Sequence, residues 1–584
     1  MTGPKPPSPV PNESPRSDRE LDELAGLDTE VSDAVDDGGF RLTRRRAIGA
    51  IGIGAAGIGL PAGLVGAQAR RNGRGDDGDD DGGGGNRDGR NPTRGGRDRG
   101  RGDGNGDGGD GPGRFSRLFD DHPPFAELDD ELTEQLVELG RPGGLLDAGD
   151  PLEVGPIRLI TEPELSPNNP DNPNNTAGTT FMGQFLDHDV TSDGASRLGQ
   201  PTSVRRSVNL RSARFDLDSV YGGGPDESPQ LYRTDDRFQF RVESGGLFED
   251  VPRDGNGVAV IGDPRNDENL IISGIHVAFL RFHNAVLERV RGEGFDGFEA
   301  FDRARRLVRW HYQWLILHQF LPQFVGQDLV DDILTNGRRH YTPNRPSIPV
   351  EFQTAAYRFG HSLIRPSYRA NLAGDDGEPF FALVFDPDTF GQPDPDDLSG
   401  GHRAPRRFIG WQTFFDFDDG EVKPNKRIDT RISTPLFQLP MAAIPSQRGE
   451  PIGPLSLPTR NLLRHITWGI PSGQDAAVAM GAPILAAADL TDIDAVAPRL
   501  AGNTPLWLYV LREAELLADG LHLGPVGGRI VGEVFIGLLQ LDPTSYLSAE
   551  PGWRPTLPSG SGDGDFRMAD LLTIAGVAPV SRGQ

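Results

Sequence analysis

The chain has 584 residues and a formal net charge of −27, with 78 glycines, 50 prolines and no cysteine. The missing cysteines exclude disulfides, thiolate metal sites, cysteine nucleophiles and thiolate-ligated haem, so any metal must be held by histidine, carboxylates or carbonyls. The cations are almost all arginine (only Lys5, Lys423 and Lys426 are lysines), and an acidic surface disfavours nucleic acid and anionic membranes, whose phosphates need clustered cations. A length above that of one ordinary core suggests several domains or one large domain with tails. Acidity with little lysine fits a salt-screened medium, and equally a GC-rich genome.

Residues 1–46 are polar and acidic, read as disordered, and end in the cluster Arg44-Arg45-Arg46. Residues 47–69 form a Gly- and Ala-rich apolar run closing on Ala67-Gln68-Ala69, a small-residue cleavage pattern. The arrangement resembles a twin-arginine export signal and implies an extracellular or cell-surface protein. A retained membrane anchor is the alternative, which the glycines make a poor one. Residues 70–114 are Gly, Asp and Arg in near-repeat, a flexible linker by composition. Within it Asp103, Asn105 and Asp107 imitate the opening of a calcium loop, but Arg114 stands where the closing acid should be.

Globular composition begins at Phe115 and runs through 115–584. Apolar residues recur at helical spacing over 270–292 and 302–325, and more briefly around 352–364, 459–467 and 503–518. Strand patterns are few and short. The expectation is a mainly α domain with long Pro- and Gly-rich connections and no stable membrane partner.

Five short segments carry polar chemistry. In "GQFLDHDVT" (183–191) Gln184 and His188 share a helix face, while Asp187 and Asp189 project elsewhere, and apolar neighbours bury the segment. Buried charges need partners, a metal or a chemical use. Solvated acids at a capped helix end are the plainer reading. "RSARFDLDSVYGG" offers Ser212, the Arg214 carbonyl, Asp216 and Asp218 at a spacing that suits a hard, oxygen-loving cation, and Asp189 would complete the set. "GDPRNDEN" sets Arg265 and Glu268 three apart, which by itself reads as a buried ion pair. "AAYRFGHSLIRPS" isolates His361 among apolar and aromatic residues, the ordinary setting of a core histidine. "NLLRHITWGIPSGQ" holds Asn461 in a helical turn before a Gly-Ile-Pro stop.

Taken together and in this order, the five segments resemble the animal-type haem peroxidases of the peroxidase–cyclooxygenase superfamily, over nearly all of 115–584. The resemblance implies the helical haem-peroxidase fold, haem b, one calcium ion, and hydrogen peroxide with a small organic or halide reductant as partners. It makes His188 the distal base, Gln184 the glutamine beside it and Arg265 the catalytic arginine. Asp187 and Glu268 become acids that form esters with the haem, and His361 the proximal iron ligand. Asn461 would accept the second N–H of His361, and Asp189, Ser212, Arg214, Asp216 and Asp218 would bind calcium. Two departures matter. Asn269 stands where myeloperoxidase has the methionine of a third haem bond, and Arg358 where cyclooxygenases have their radical tyrosine, with Tyr357 one further back. These favour a peroxidase. A fatty-acid dioxygenase on the same scaffold and a haem-free calcium-binding adhesion domain are the alternatives.

Overall fold

Helices supply the frame, and the longer ones each bury an apolar face. In the computed structural model they are α1 (Asp130–Leu139), α2 (Ala177–Val190), α3 (Leu270–Gly292), α4 (Gly297–Leu315), α5 (Gln327–Asn336), α6 (Leu457–Trp468), α7 (Leu506–Leu517) and α8 (Pro525–Leu541). The structure describes residues 113–578, apart from 195, 245–247, 375, 390, 391, 393, 394, 445–452, 561 and 563. These residues fall in one unit, Asn105–Gln584. The arginine cluster, the apolar run at 47–69, the calcium-like stretch at 103–108 and nearly all of the 70–114 linker lie outside the described residues.

The middle of the molecule is α3 packed on α2 and α4. Asn269 starts α3 by accepting the Ile271 and Ile272 amides on Oδ1, a cap that contributes about 1 kcal/mol. α3 is long and apolar enough to cross a membrane by length and composition, and it is spent instead on the core, with Leu270, Ile271, Ile272 and Ile275 fully buried. Among the described residues the strands form short antiparallel pairs, of which Asp171–Thr176 with Pro424–Lys426 contains the longest strand, besides isolated bridges. The domain is mainly α, as its periodicity suggested.

Two helical stretches depart from the regular α-helix read from the sequence, and both border the site. The 302–325 segment is one continuous run from Gly297 to Val325, but Ile316–Phe320 is wound as a π-turn. Such turns reset the side-chain register, and this one delivers Phe320 to a cavity wall. The 352–364 segment is α-helical only over Val350–Thr354, then becomes a 3-10 helix over Ala356–Leu363. Side chains three apart eclipse one another there, so Arg358 and His361 share a face. Pro366 follows closely and stops the coil, because the residue before a proline disfavours helical angles. Periodicity also gave no warning of α8, whose two faces are both apolar.

Candidate active site

On α2 burial fails in one place only. Every residue is buried except Gly183, Gln184 and Asp187, and these three line an internal cavity of about 250 Å³. His188 also reaches that cavity, while Asp189 turns away and is fully buried. The cavity also takes in Glu268 and Asn269 from the start of α3, and Arg358, Gly360 and His361 from the 3-10 coil. Phe181, Phe320, Phe324 and Phe359 make its apolar walls, and Arg460 and Arg464 of α6 complete it.

His188 is neutral over any working range, since burial and the nearby Arg265 charge bring its imidazole down to about 3. Its Nδ1 lies 2.9 Å from Asn266 Oδ1. Arg265 is tied down at both ends. Its Nε and Nη2 donate to Asp263 at 3.0 and 2.7 Å, and Nη2 also donates to the His188 carbonyl at 3.0 Å. Its Nη1 is 3.9 Å from Asp187. The Arg265–Glu268 ion pair suggested by their spacing does not form; among the described residues Arg265 pairs with Asp263 and Asp187. Glu268 instead accepts from Gln184 Nε2 at 3.1 Å, and Asn269 Nδ2 donates to Gln184 Oε1 at 3.1 Å. Asn269, where a methionine was the point of comparison, thus both caps α3 and holds the glutamine. Burial lifts the Glu268 carboxyl to about 8 and raises that of Asp187, so both favour the protonated form more than an exposed acid does.

His361 is likewise kept neutral, at about 3, by burial and by the charge of Arg358. Asn461 meets it, with one difference from expectation. The Asn461 Nδ2 faces His361 Nδ1 at 2.8 Å, while Asn461 Oδ1 accepts from Arg358 Nη1 at 3.2 Å. In this arrangement the asparagine donates to the ring nitrogen rather than accepting from it. Accepting requires the amide to turn over, which costs Oδ1 its bond from Arg358.

The second cluster lies behind α2. Carboxylate oxygens of Asp189, Asp216 and Asp218 all come within 4.8 Å of one another. Leu217, between two of them, takes a left-handed conformation at φ +61° that lets the loop turn its acids to one side. Ser212 donates from Oγ to Asp216 at 2.8 Å and from its amide to Asp218 at 2.9 Å. Arg214 lies in the same loop, half-buried. Burial together with the neighbouring acids raises the carboxyls of Asp189 and Asp218, as expected for like charges crowded together. Arg211 joins the two clusters, with Nη1 3.5 Å from Asp218 and Nε 2.9 Å from Asp263.

Several of these partners had no sequence signal. Tyr312 of α4 donates to Asp189 at 3.1 Å across 123 residues of chain. Arg460 and Arg464 sit on α6 with Asn461, visible only once α6 is placed against the cavity. Asp263 and Asn266 lay inside the quoted "GDPRNDEN" stretch, and the Asp-Pro pair that opens a helical turn was the available sign of a capping acid.

Comparison with known proteins adds the family. Residues 192–394 match the family model described as animal haem peroxidase. Over that range the chain is similar to the animal haem peroxidases. The matched range of the animal haem peroxidase model includes Ser212–Asp218, Arg265, Glu268 and His361, and leaves Gln184–Asp189 and Asn461 outside it. Peroxidasin of Drosophila melanogaster is 28% identical over 305 residues, 45% of this chain and 18% of its own length. The human probable oxidoreductase PXDNL is 32% identical over 232 residues, 34% of this chain and 15% of its own. The chain thus spans less than a fifth of these curated relatives. Peroxidase A from Dictyostelium discoideum superposes with a TM-score of 0.52 at 17% identity, over 79% of this chain and 93% of that one, a likeness of fold. The haem peroxidase family implies haem, and the cavity's chemistry fits it. His188 and His361 reach the same cavity, and among the described residues neither Nε2 is engaged in a hydrogen bond.

Proposed function

We propose that the chain is a haem-dependent peroxidase that reduces hydrogen peroxide and oxidises small organic or halide reductants. One observation carries this reading: His188, Gln184, Asp187, Glu268 and His361 line one cavity, and Arg265 is bonded to the backbone of His188. His361 would ligate the iron with Arg358 and Asn461 behind it, and Asp187 and Glu268 would form esters to the haem. Bound haem supplies the electrons for cleaving the peroxide O–O bond. The rest is work for the chain. His188 Nε2 takes the proton from incoming peroxide and returns it to the departing oxygen, which a neutral imidazole can do. Arg265, held cationic by Asp263, stabilises the negative charge that develops during cleavage. Gln184 is fixed between Glu268 and Asn269 and gives that wall a rigid polar edge.

Calcium is the ion proposed for Asp189, Ser212, the Arg214 carbonyl, Asp216 and Asp218, since three crowded carboxylates and a hydroxyl suit a hard divalent cation. Export through the arginine cluster and apolar run, to an extracellular or cell-surface location, rests on the sequence of 44–69. A fatty-acid dioxygenase is the second reading, because Tyr357 also lines the cavity, with its hydroxyl donating to the Gly183 carbonyl at 2.9 Å.

The test is to purify the chain with haem and add peroxide with phenols, bromide, iodide or linoleate. A five-coordinate ferric Soret band, lost in His361→Ala, together with peroxide-dependent oxidation of a phenol or halide, is the expected result. Oxygen uptake with linoleate points to the dioxygenase. Folded protein that takes up no haem overturns both and leaves a calcium-binding adhesion domain.

A further inference from the structure

Beyond the cavity wall, a line of three buried side chains runs from His188 into α3. His188 Nδ1 is 2.9 Å from Asn266 Oδ1, and Asn266 Nδ2 is 3.0 Å from His276 Nδ1. Asn266 and His276 are fully buried, and His276 Nε2 is buried with no hydrogen-bond partner among the described residues. We propose that Asn266 and His276 are positioning residues that decide which nitrogen of His188 carries its proton. This rests on the peroxidase reading, in which His188 is the base.

The argument is one of donors and acceptors. A neutral imidazole has one N–H and one lone pair, and its hydrogen bonds choose between the two tautomers. An amide oxygen can only accept, so Asn266 Oδ1 requires the proton on Nδ1 of His188 and leaves the Nε2 lone pair for the cavity. The amide nitrogen can only donate, so His276 Nδ1 must be unprotonated, with its own proton on Nε2. Turning the amide over reverses both choices. His188 would then present Nε2–H to the cavity and could not take a proton there. Among the described residues His276 is the partner at the far end of this amide, and with Nδ1 unprotonated it accepts from Asn266 Nδ2 and holds the orientation.

A histidine is otherwise hard to explain at this place. Burial holds it neutral, bringing it down to about 4, and its Nε2 is an orphan where an apolar side chain would leave no polar atom unpaired. The ring earns its position through the one bond that it does make, to Asn266. The same logic operates where a buried group fixes a catalytic histidine in the productive tautomer, and loss of that tautomer there costs about 10⁴-fold in rate.

The test reads the tautomer directly, by ¹⁵N NMR of histidine-labelled holoprotein in its diamagnetic ferrous carbon monoxide form. Peroxide reaction rates are measured alongside by stopped flow. In the wild type His188 should be protonated at Nδ1. Asn266→Leu should move the proton to Nε2 or mix the two forms. Reaction with peroxide should fall about 10²-fold or more at unchanged haem content. His276→Leu should mix the tautomers and slow the reaction, whereas His276→Gln, which keeps an acceptor for the Asn266 amide, should largely restore both. An Nε2–H tautomer in the wild type, or unchanged tautomer and rate in Asn266→Leu, overturns the proposal. If that variant does not fold, the His276 pair decides, and identical behaviour of the Leu and Gln variants overturns it. Wild-type protein that binds no haem fails the peroxidase reading separately, because the tautomer can still be read in the haem-free chain.

Discussion

Asp263 grips Arg265 from two residues away, accepting from Nε at 3.0 Å and from Nη2 at 2.7 Å while its own side chain is almost fully buried. The same acid also pairs with Arg211, which reaches Asp218 in the acidic cluster. One buried carboxylate thus connects Arg265, which is bonded to the His188 carbonyl, to the proposed calcium site. Removing it takes the nearest carboxylate from two guanidinium groups, and breaking a buried pair from one side costs about 3–5 kcal/mol. Asp263→Ala should lower the midpoint of thermal unfolding and slow the reaction with peroxide at least about 10-fold, as Arg265 loses its orientation. A variant that reacts at the wild-type rate would show that Asp263 does not position Arg265.

Asp187 and Glu268 face the same cavity with carboxyls whose ionisation burial disfavours. Peptide mass spectrometry after peroxide treatment should find haem on both segments, on one only in Asp187→Asn or Glu268→Gln, and none attached through Asn269. Haem that acidified organic solvent extracts completely from treated wild-type protein counts against ester links.

Asp189 adjoins His188 and accepts from Tyr312, Ser219 Oγ and the Leu217 amide. Loss of a cation from this cluster should therefore disturb α2 before the fold is lost. Chelation under mild denaturation should reduce peroxidase activity and shift the haem spectrum, and Asp216→Ala should reproduce both. Elemental analysis that finds no calcium in active protein sinks the site.

A separate pH effect is expected at Glu513, which is fully buried on α7 and accepts the Val526 and Gly527 amides at the start of α8. Burial lifts its carboxyl from the ordinary 4.5 to about 7. Between those values the unfolded chain releases a proton that the folded chain retains. The contribution of Glu513 is therefore complete below about pH 4.5 and is lost as the pH rises through about 7, by about 3 kcal/mol at most. Denaturant unfolding of Glu513→Gln beside the wild type should show the smaller fall over that range in the variant. Parallel curves would contradict the assignment.

Chain-local patterns settled a good deal. The periodicity of 270–292 is α3 from end to end, and the spacing of Ser212, Asp216 and Asp218 gathers their side chains within one loop. The alternation of acids about His188 sends Asp187 to the cavity and Asp189 to the acidic cluster, because a helix turns successive side chains by a fixed angle. Tertiary structure decided the partners. Arg265 pairs with Asp263 rather than Glu268, Tyr312 reaches Asp189, and Arg358 competes for the Asn461 oxygen. The 3-10 winding that aligns Arg358 with His361 also departs from the local apolar pattern. Spacing fixes the direction in which a side chain leaves its own element. Which donor meets which acceptor depends on how distant elements pack, and burial then makes those pairings obligatory.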